Sequence, residues 1–200
     1  MIVVRDRYRS PFYRVARCIV WLYFRLAYRF RIVNQHYVPK TGPVVLGSNH
    51  IHNLDPLTIG LGTPRFVHFM AKHELFKYRW FAALLRYLGA FPVRRGAGDR
   101  QAIRHALAIP EHNGCLLVFP EGHRSKTGKL QRGLPGVAFI ARKTQCPIVP
   151  VAVIGQYKFR GKLTLRFGEP FTPTPEDTND TILEELMNRI QRLLDEGHPS

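Results

Sequence analysis

The sequence predicts an α/β fold, a single domain whose central sheet is mixed or mostly parallel and is flanked by helices. Short apolar runs alternate with stretches of helical periodicity along most of the chain, which is the pattern of repeated strand–helix units. A length of 200 residues suits one domain with a substantial buried core. We expect this domain to occupy residues 34–200 and to follow an amphipathic helix over residues 1–33.

Each predicted element follows from a local pattern of residues. Strands are expected where apolar runs are bounded by turn residues, and helices where apolar residues recur every three or four positions. Two prolines in the run 146–153 predict an edge strand or a bulge there. Thr181 and Glu184 are expected to form the capping box of the last helix. The expected strands are 44–46, 65–70, 90–93, 115–119, 148–154 and 163–167, and the expected helices are 75–88, 99–109, 134–142 and 180–194.

The charge of the chain is strongly basic and unevenly distributed. The formal net charge is +16 at pH 7, and residues 122–168 contain ten basic residues and no acidic one. A basic body attracts polyanions, which include nucleic acid, anionic lipid headgroups and small phosphorylated substrates. Charge alone leaves these three classes of partner open. The three cysteines are few and widely spaced, so they indicate buried thiols in a reducing compartment rather than a disulfide framework.

The N-terminal segment combines aromatic residues with arginines. Its charge-free run, residues 18–24, is far shorter than the roughly 20 residues that span a bilayer, and Arg25 interrupts any signal-peptide pattern. Aromatic residues and guanidinium groups together are typical of a helix that lies in the headgroup layer of an anionic membrane. The alternative is a helix that packs on the core of its own domain.

The most informative stretch is residues 48–56, where an apolar run ends and a helix begins at Pro56. Ligands of open α/β sheets bind beyond the carboxyl ends of the strands, so His50 is a candidate general base and Asp55 its partner. Two other readings stay open at this point. Asp55 is also a typical helix N-cap, and His50, His52 and Asp55 together have the donor types of a metal site, although no matching cluster follows.

Cationic residues follow two further apolar runs. Arg94 and Arg95 follow the run 90–93, and adjacent guanidinium groups at a strand end can grip a phosphate. Lys72 stands at the end of the run 65–70. Because the carboxyl ends of parallel strands share one edge of a sheet, both groups are expected to face His50.

A third polar cluster follows the run 115–119. Glu121 and Gly122 precede Arg124, and the carboxylate is expected to hold a substrate hydroxyl, to orient Arg124, or simply to pair with a neighbouring base. A nucleotide P-loop is excluded here. Five residues separate Gly122 from Gly128 where four are required, and Leu130 occupies the magnesium-binding position.

Taken in order, these clusters resemble the blocks of the glycerolipid acyltransferase family, which includes the 1-acylglycerol-3-phosphate O-acyltransferases. The resemblance covers roughly residues 38–168. The matching positions are His50 and Asp55 for the His-x4-Asp motif, residues 89–95 for the second block, Glu121, Gly122 and Arg124 for Glu-Gly-x-Arg, and residues 148–150 for the fourth block.

The resemblance implies acyl transfer from acyl-CoA or an acyl carrier protein to a hydroxyl of a lysophospholipid, as a step of phospholipid biosynthesis. It implies no cofactor beyond that co-substrate and no metal. Lys72 and Arg124 would bind the acceptor phosphate, Arg94 or Arg95 would assist, and Glu121 would lie near the glycerol. The expected location is the cytoplasmic face of the cell membrane, where the protein is peripheral or monotopic.

Two positions depart from the commonest family pattern. His123 replaces the usual threonine of the third block, and residues 92–95 differ from the frequent Ile-Phe-Val-Asp-Arg form. Both positions bear on the identity of the acceptor. The competing functions are a basic nucleic-acid-binding protein, for which no binding motif is found, and a catalytically silent lipid-binding module, against which the retention of His50 and Asp55 argues.

Overall fold

The computed structural model describes residues 4–94, 98–125 and 127–197, which fold around one seven-stranded sheet. Short apolar runs form the strands, and segments with an apolar stripe form the helices. The strands are β1 (Arg29–Val33), β2 (Val44–Ser48), β3 (Val67–Lys72), β4 (Ala90–Val93), β5 (Cys115–Val118), β6 (Ile148–Gly155) and β7 (Lys162–Phe167). The helices are α1 (Pro11–Ala27), α2 (Asp55–Gly62), α3 (Arg79–Tyr87), α4 (Arg100–Glu111), α5 (Gly136–Thr144) and α6 (Asn179–Gly197).

The sheet is parallel except at one pair of strands. Its order is β1-β7-β6-β2-β5-β3-β4, and only β6 and β7 pair in the antiparallel sense. The carboxyl ends of β6, β2, β5, β3 and β4 therefore share one edge. This arrangement confirms the predicted α/β fold with a mostly parallel sheet.

Both faces of the sheet are covered. Along β2, Val44 and Leu46 belong to a core layer shared with α1 and α2, whereas Val45 belongs to the layer formed with α4, α5 and α6. Alternate strand residues point to opposite faces, so a strand buried on both sides must be apolar throughout. All five residues of β2 are buried, which fixes the position of the loop that follows it.

Helix α1 lies against α2 through an arginine. The Arg17 guanidinium donates hydrogen bonds to the carbonyls of Gly60, Leu61 and Thr63, at the carboxyl end of α2, where backbone acceptors lack partners within the helix. The opposite side of α1 is an exposed apolar stripe. Its members are Phe12, Val15, Ile19, Leu22 and Leu26. In the described residues, no helix combines the length and the apolar character that crossing a bilayer requires.

The N-terminal region differs from the expected continuous helix over residues 1–33. Helix α1 ends at Ala27, and β1 pairs in parallel with β7 as an outer strand of the sheet. The physical reason is the alternation of arginine with Phe30 and Ile32, which has the two-residue period of a strand. The sheet therefore begins before residue 34. The predicted helix over 75–88 is also divided, into a 3₁₀ turn at His73–Phe76 and helix α3.

The prediction of an edge position or bulge for the proline-bearing strand was wrong, because β6 lies inside the sheet between β7 and β2. The hydrogen bonds around Pro150 explain why it is tolerated inside the sheet. Its carbonyl accepts a hydrogen bond from the N–H of Gly168 at 2.8 Å, and Gly168 lies just beyond the last residue of β7. The nitrogen of Pro150 faces the same side. The N–H that proline lacks is thus missing at a break in the pairing, between the last residue of β7 and the isolated bridge of Ile148 with Phe171.

Two smaller expectations also differ from the structure. Helix α6 begins at Asn179, so its cap lies three residues earlier than predicted: Thr178 Oγ1 accepts the Thr181 N–H at 3.2 Å, and Thr181 Oγ1 accepts the Thr178 N–H at 3.0 Å. Cys115 and Cys146 are buried as expected, but Cys18 is exposed. It lies on the outward side of α1, where the apolar neighbours in sequence face solvent rather than the core.

Candidate active site

The predicted site residues follow the carboxyl ends of neighbouring strands. His50 follows β2, Glu121 follows β5, Lys72 ends β3 and Arg94 follows β4. Because these strands are parallel and adjacent in the order β2-β5-β3-β4, their ends meet at one edge of the sheet. Ligand sites of open α/β sheets lie in this place.

His50 and Asp55 form a buried pair. The Nδ1 atom of His50 lies 2.7 Å from Asp55 Oδ2, and the two residues are 9% and 0% exposed. The five-residue spacing is bridged because the loop after β2 turns directly into α2, whose first residue is Asp55. The predicted contact between this imidazole and this carboxylate is thus present in the structure.

The surroundings of Asp55 assign the proton on the imidazole. Asp55 Oδ2 also accepts the N–H groups of Ile51 and His52, each at 2.7 Å, and Oδ1 accepts the Tyr157 hydroxyl at 2.7 Å. A carboxylate that receives this many donors acts as an acceptor toward His50 as well, so Nδ1 carries the proton. Nε2, which forms no hydrogen bond within the described residues, is then the basic nitrogen.

The backbone of His50 is fixed by the loop that follows β5. Its N–H donates to Glu121 Oε1 at 2.8 Å, and its carbonyl accepts the Ser125 N–H at 2.7 Å. The imidazole also stacks on the Phe119 ring, with centroids 4.0 Å apart. Three residues of one loop therefore hold His50, and the orientation of its side chain does not depend on substrate.

Glu121 has a structural role that the sequence did not reveal. It is 1% exposed, and its second oxygen, Oε2, accepts the Gln131 N–H at 2.9 Å. Burial raises the pKa of Glu121, although the N–H groups of His50 and Gln131 oppose this shift. Within the described residues the carboxylate forms no ion pair with Arg124 or another base. Its expected position near the glycerol stays a prediction.

Gly122 allows the turn that exposes Arg124. Its φ is +68°, a left-handed conformation that favours glycine, and a Cβ there would lie 2.7 Å from Leu134 Cδ1. The turn buries Glu121 and leaves His123 and Arg124 exposed beside the His50 loop. The Arg124 guanidinium makes no hydrogen bond within the described part of the chain and is thus available to an anion.

The other predicted cations are also exposed. Lys72 lies two strands from β2, and its Nζ is 3.1 Å from Glu74 Oε1 in a surface ion pair, a kind that contributes little to stability. Arg94 lies one strand further and is exposed. Arg95, named by the sequence alongside it, lies outside the described residues.

Sequence reasoning missed the residues that support the pair. Asn49 joins β2 to β6, because its side chain donates to the Val153 carbonyl at 3.0 Å and accepts the Val153 N–H at 2.8 Å. Tyr157 approaches Asp55 from the loop after β6, a contact of two segments a hundred residues apart. No local pattern marks Tyr157, whereas Asn49 stands directly before the motif and its polar type at a strand end was a usable signal.

His52 serves a different purpose from the metal ligand considered for it. Its ring stacks on Tyr157 with centroids 4.3 Å apart, and its Nδ1 accepts the Leu54 N–H at 3.2 Å. Within residues 4–94, 98–125 and 127–197, no three His, Cys, Asp or Glu side chains are grouped as metal ligands would be. His52 is therefore a packing residue for the tyrosine that reaches Asp55.

Comparison with known proteins identifies the family of this site. Residues 29–154 match the family model described as Acyltransferase. The 1-acyl-sn-glycerol-3-phosphate acyltransferase of Bacillus subtilis (strain 168) is 30% identical over 176 residues, which are 82% of this chain and 87% of that protein. The protein of the same name from Streptococcus pneumoniae is 32% identical over 145 residues, 68% of this chain and 53% of its own length.

A solved structure extends the similarity to the whole fold. The crystal structure of the 1-acyl-sn-glycerophosphate acyltransferase PlsC from Thermotoga maritima aligns with a TM-score of 0.81 and 25% sequence identity. The alignment covers 99% of this chain and 86% of that one, so it includes helix α1 as well as the sheet. Together with the family match, this shows that the chain is an acyltransferase that belongs to the 1-acylglycerol-3-phosphate acyltransferase family.

Proposed function

We propose that the chain transfers a fatty acyl group from acyl-CoA or an acyl carrier protein to the free hydroxyl of 1-acylglycerol-3-phosphate or a related lysophospholipid, in phospholipid biosynthesis. The observation that carries this proposal is the His50–Asp55 pair, which leaves Nε2 as a base at a sheet edge with exposed cations. The names of the relatives support the same acceptor class.

The geometry supports a general-base mechanism. His50 Nε2 takes the proton of the acceptor hydroxyl as the oxygen attacks the thioester carbonyl, and Asp55 Oδ2 stabilises the imidazolium through Nδ1–H. The tetrahedral intermediate then expels the thiolate, which receives the proton from His50. The carbon–sulfur bond breaks, the ester bond forms, and no acyl-enzyme is required.

The acceptor phosphate is assigned to the exposed cations at the same edge. Arg124 is displayed by the Gly122 turn beside His50, and Lys72 extends from the end of β3. Guanidinium and ammonium groups bind phosphate through charge-assisted hydrogen bonds. Arg94, which follows β4, and its neighbour in sequence, Arg95, are proposed to assist. Glu121 is proposed to lie near the glycerol while its carboxylate holds the His50 loop.

The direct test is a thiol-release assay with purified protein. Lysophosphatidate, glycerol-3-phosphate and a zwitterionic lysolipid are offered in turn with an acyl-CoA and with an acylated carrier protein. We expect thiol release with lysophosphatidate, and a decrease of about 10²–10⁴-fold in His50→Ala, which is the usual contribution of a general base.

The matched control is His36→Ala, because His36 is exposed and lies outside the site. Its rate should equal that of the unmodified protein. Thiol release that persists undiminished in His50→Ala would refute the mechanism, and release only with another acceptor would replace the proposed substrate.

We further propose that the protein binds the cytoplasmic face of an anionic membrane as a peripheral or monotopic protein. The exposed stripe of α1 supports this, since Phe12, Ile19 and Leu26 are 64–66% exposed on one side of the helix. Helix α3 continues the surface, because Tyr87 contacts Phe12 edge-to-face at 5.1 Å and Trp80 is 73% exposed. Aromatic and aliphatic side chains beside arginines suit the headgroup boundary.

Co-sedimentation with vesicles that contain anionic lipid tests this placement. Ile19→Asp should lower vesicle affinity about tenfold or more, because burial of such a side chain contributes roughly 1.5–3 kcal/mol. Ile103→Asp is the matched control, since Ile103 is an exposed isoleucine of α4. Equal losses in both variants, or none in either, would contradict a membrane role for α1.

A further inference from the structure

A cavity of about 510 Å³ lies away from His50, along the β4 edge of the sheet. It is lined by residues of β3, β4, α3 and α4 and by the N-terminal segment that precedes α1. Its basic lining residues come from separate parts of the chain. They are Arg5, Arg7, His68, His73, Arg86, Arg94 and His105.

Four of the lining residues are arginines, and Asp99 is the one acidic residue among the described residues that line the cavity. None of the four arginines forms an ion pair within the described residues. The acidic residue of the lining, Asp99, is occupied otherwise: its carboxylate caps α4 by accepting the N–H groups of Gln101 and Ala102, and it also accepts the Arg94 N–H at 3.0 Å. Arginines outnumber acidic residues in the lining, so the cavity carries a net positive charge that a bound anion can balance.

His68 is the second, independent observation. It is 8% exposed, forms no hydrogen bond with the described residues, and lines the cavity. Burial lowers the pKa of His68 to about 4, with His105 and Arg7 adding to the shift and Asp6 opposing it. The ring nitrogens of His68 are not among the fully buried unpaired atoms of the described residues, so they are open to the cavity, where a neutral imidazole offers one N–H donor.

We propose that this cavity is an anion site for a phosphate ester, with the arginines at its rim and His68 at its floor. The proposal rests on the proposed function, because both substrates of that reaction can supply such a group. One source is the nucleotide part of an acyl-CoA donor, and the other is the headgroup of the acceptor. Guanidinium groups suit this ligand because each can donate two parallel hydrogen bonds to phosphate oxygens and also carries a positive charge.

Aromatic rings beside the cavity hold two of its arginines in place. Arg7 lies over the Tyr87 ring at 4.3 Å and Arg86 over the Phe76 ring at 5.3 Å. Phe91 stacks on His105 with centroids 4.4 Å apart. Arg5 and Arg7 of the N-terminal segment form one side of the cavity, and Arg7 also contacts Tyr87 of α3. A bound anion would therefore stabilise the packing of this segment against α3.

The test measures binding directly, by calorimetry at fixed ionic strength, with adenosine 3′,5′-bisphosphate, glycerol-3-phosphate and inorganic phosphate as separate probes. The cavity variant is Arg5→Gln/Arg86→Gln, since both side chains line the cavity, are exposed and have no part in the proposed active site, so their loss should spare the fold and the acceptor site. The control variant is Arg104→Gln/Arg142→Gln, which removes the same charge from exposed positions outside the cavity.

We expect at least one ester to lose tenfold or more in affinity in the cavity variant and to be unaffected in the control. Loss of adenosine bisphosphate binding identifies the donor as the source, and loss of glycerol-3-phosphate binding identifies the acceptor. Equal losses in both variants, no loss in either, or equal affinity for inorganic phosphate and both esters would overturn the proposal.

Failure of this proposal is separable from failure of the proposed function. Probe binding is measured without turnover, so His50→Ala protein should bind the ester with unchanged affinity even when it no longer transfers acyl groups. His68→Phe is a second variant, which fills the floor and removes the N–H donor. It should weaken the same ester, and unaltered affinity would remove His68 from the site.

Discussion

The two halves of the candidate active site differ in how the protein holds them. The half that handles the proton, His50 with Asp55, is buried and hydrogen-bonded on nearly every side. The half assigned to the phosphate, Lys72 and Arg124, is exposed and carries at most a surface ion pair. The protein therefore fixes the geometry of the base and leaves the cations to be ordered by the ligand.

This difference separates the reaction from the choice of acceptor. A base must be oriented before substrate arrives, because misplacement of the proton acceptor raises the barrier directly. An exposed arginine instead gains most of its order when an anion binds. Changes in the buried half should thus lower kcat, whereas changes in the exposed half should raise KM, and the variants below test that division.

The largest effect is expected from Asp55→Asn. The carboxamide is nearly isosteric, yet its amino group cannot accept hydrogen bonds, so His50 loses the partner that fixes its tautomer and stabilises its charge. We expect kcat to fall about 10²–10⁴-fold with little change in KM, measured by thiol release. A loss of less than threefold would show that Asp55 is only a helix-terminal residue.

Arg124→Ala should act on the other half. Loss of a charge-assisted hydrogen bond costs about 1.5–3 kcal/mol, so the KM for a phosphorylated acceptor should rise about tenfold or more while kcat stays within twofold. The KM of Arg104→Ala, at an exposed arginine of α4, serves as the reference. A decrease in kcat at unchanged KM would place Arg124 in the chemistry instead.

Glu121→Gln tests a residue that contacts the backbone of the buried half and precedes Arg124 of the exposed half. One of the two backbone N–H groups, of His50 or Gln131, would face an amino group, and a buried unsatisfied donor costs about 1–3 kcal/mol. We expect a lower free energy of unfolding in urea, together with a reduced kcat. Unchanged stability with a raised KM would support contact with the glycerol and contradict the structural role.

The smallest effect is expected from Tyr157→Phe. This variant keeps the ring that stacks on His52 and removes the hydroxyl that donates to Asp55 at 2.7 Å. Burial raises the pKa of Tyr157, so the hydroxyl is protonated and acts as a donor. Loss of one such hydrogen bond, about 0.5–1.5 kcal/mol, should lower kcat roughly two- to tenfold. An unaltered kcat would make Tyr157 a packing residue only.

The fold was largely predictable because its strands are short apolar runs that alternate with helices. Two errors have a common physical origin. The arginines of β1 continue those of α1 and so favour a helix, although their alternation with Phe30 and Ile32 has the period of a strand. The prolines of β6 predict an edge strand, but a local rule about proline does not reveal where pairing with the neighbouring strand is interrupted.

Contacts within the candidate active site are predictable from the sequence only where the two residues are close along the chain. The contact of His50 with Asp55 spans five residues and was recognised from their spacing at a chain reversal. Tyr157 and Val153 reach the same loop from more than ninety residues away, and only the parallel pairing of β2 with β6 brings them there. The position of Glu121 after an apolar run predicts a role in the site, but its partners are backbone groups, which no residue pattern encodes.

The double attachment of His50 to a single loop limits how this enzyme can be altered. Glu121 accepts the N–H of His50, and Ser125 donates its N–H to the carbonyl of His50. Arg124 lies between these two residues in the loop and is exposed. An insertion between residues 121 and 125 would displace the imidazole of His50. Substitutions at the exposed positions 123 and 124 would leave the two hydrogen bonds to the His50 backbone unchanged. Diversification of the lipid accepted should therefore proceed by swapping side chains on a loop of constant length.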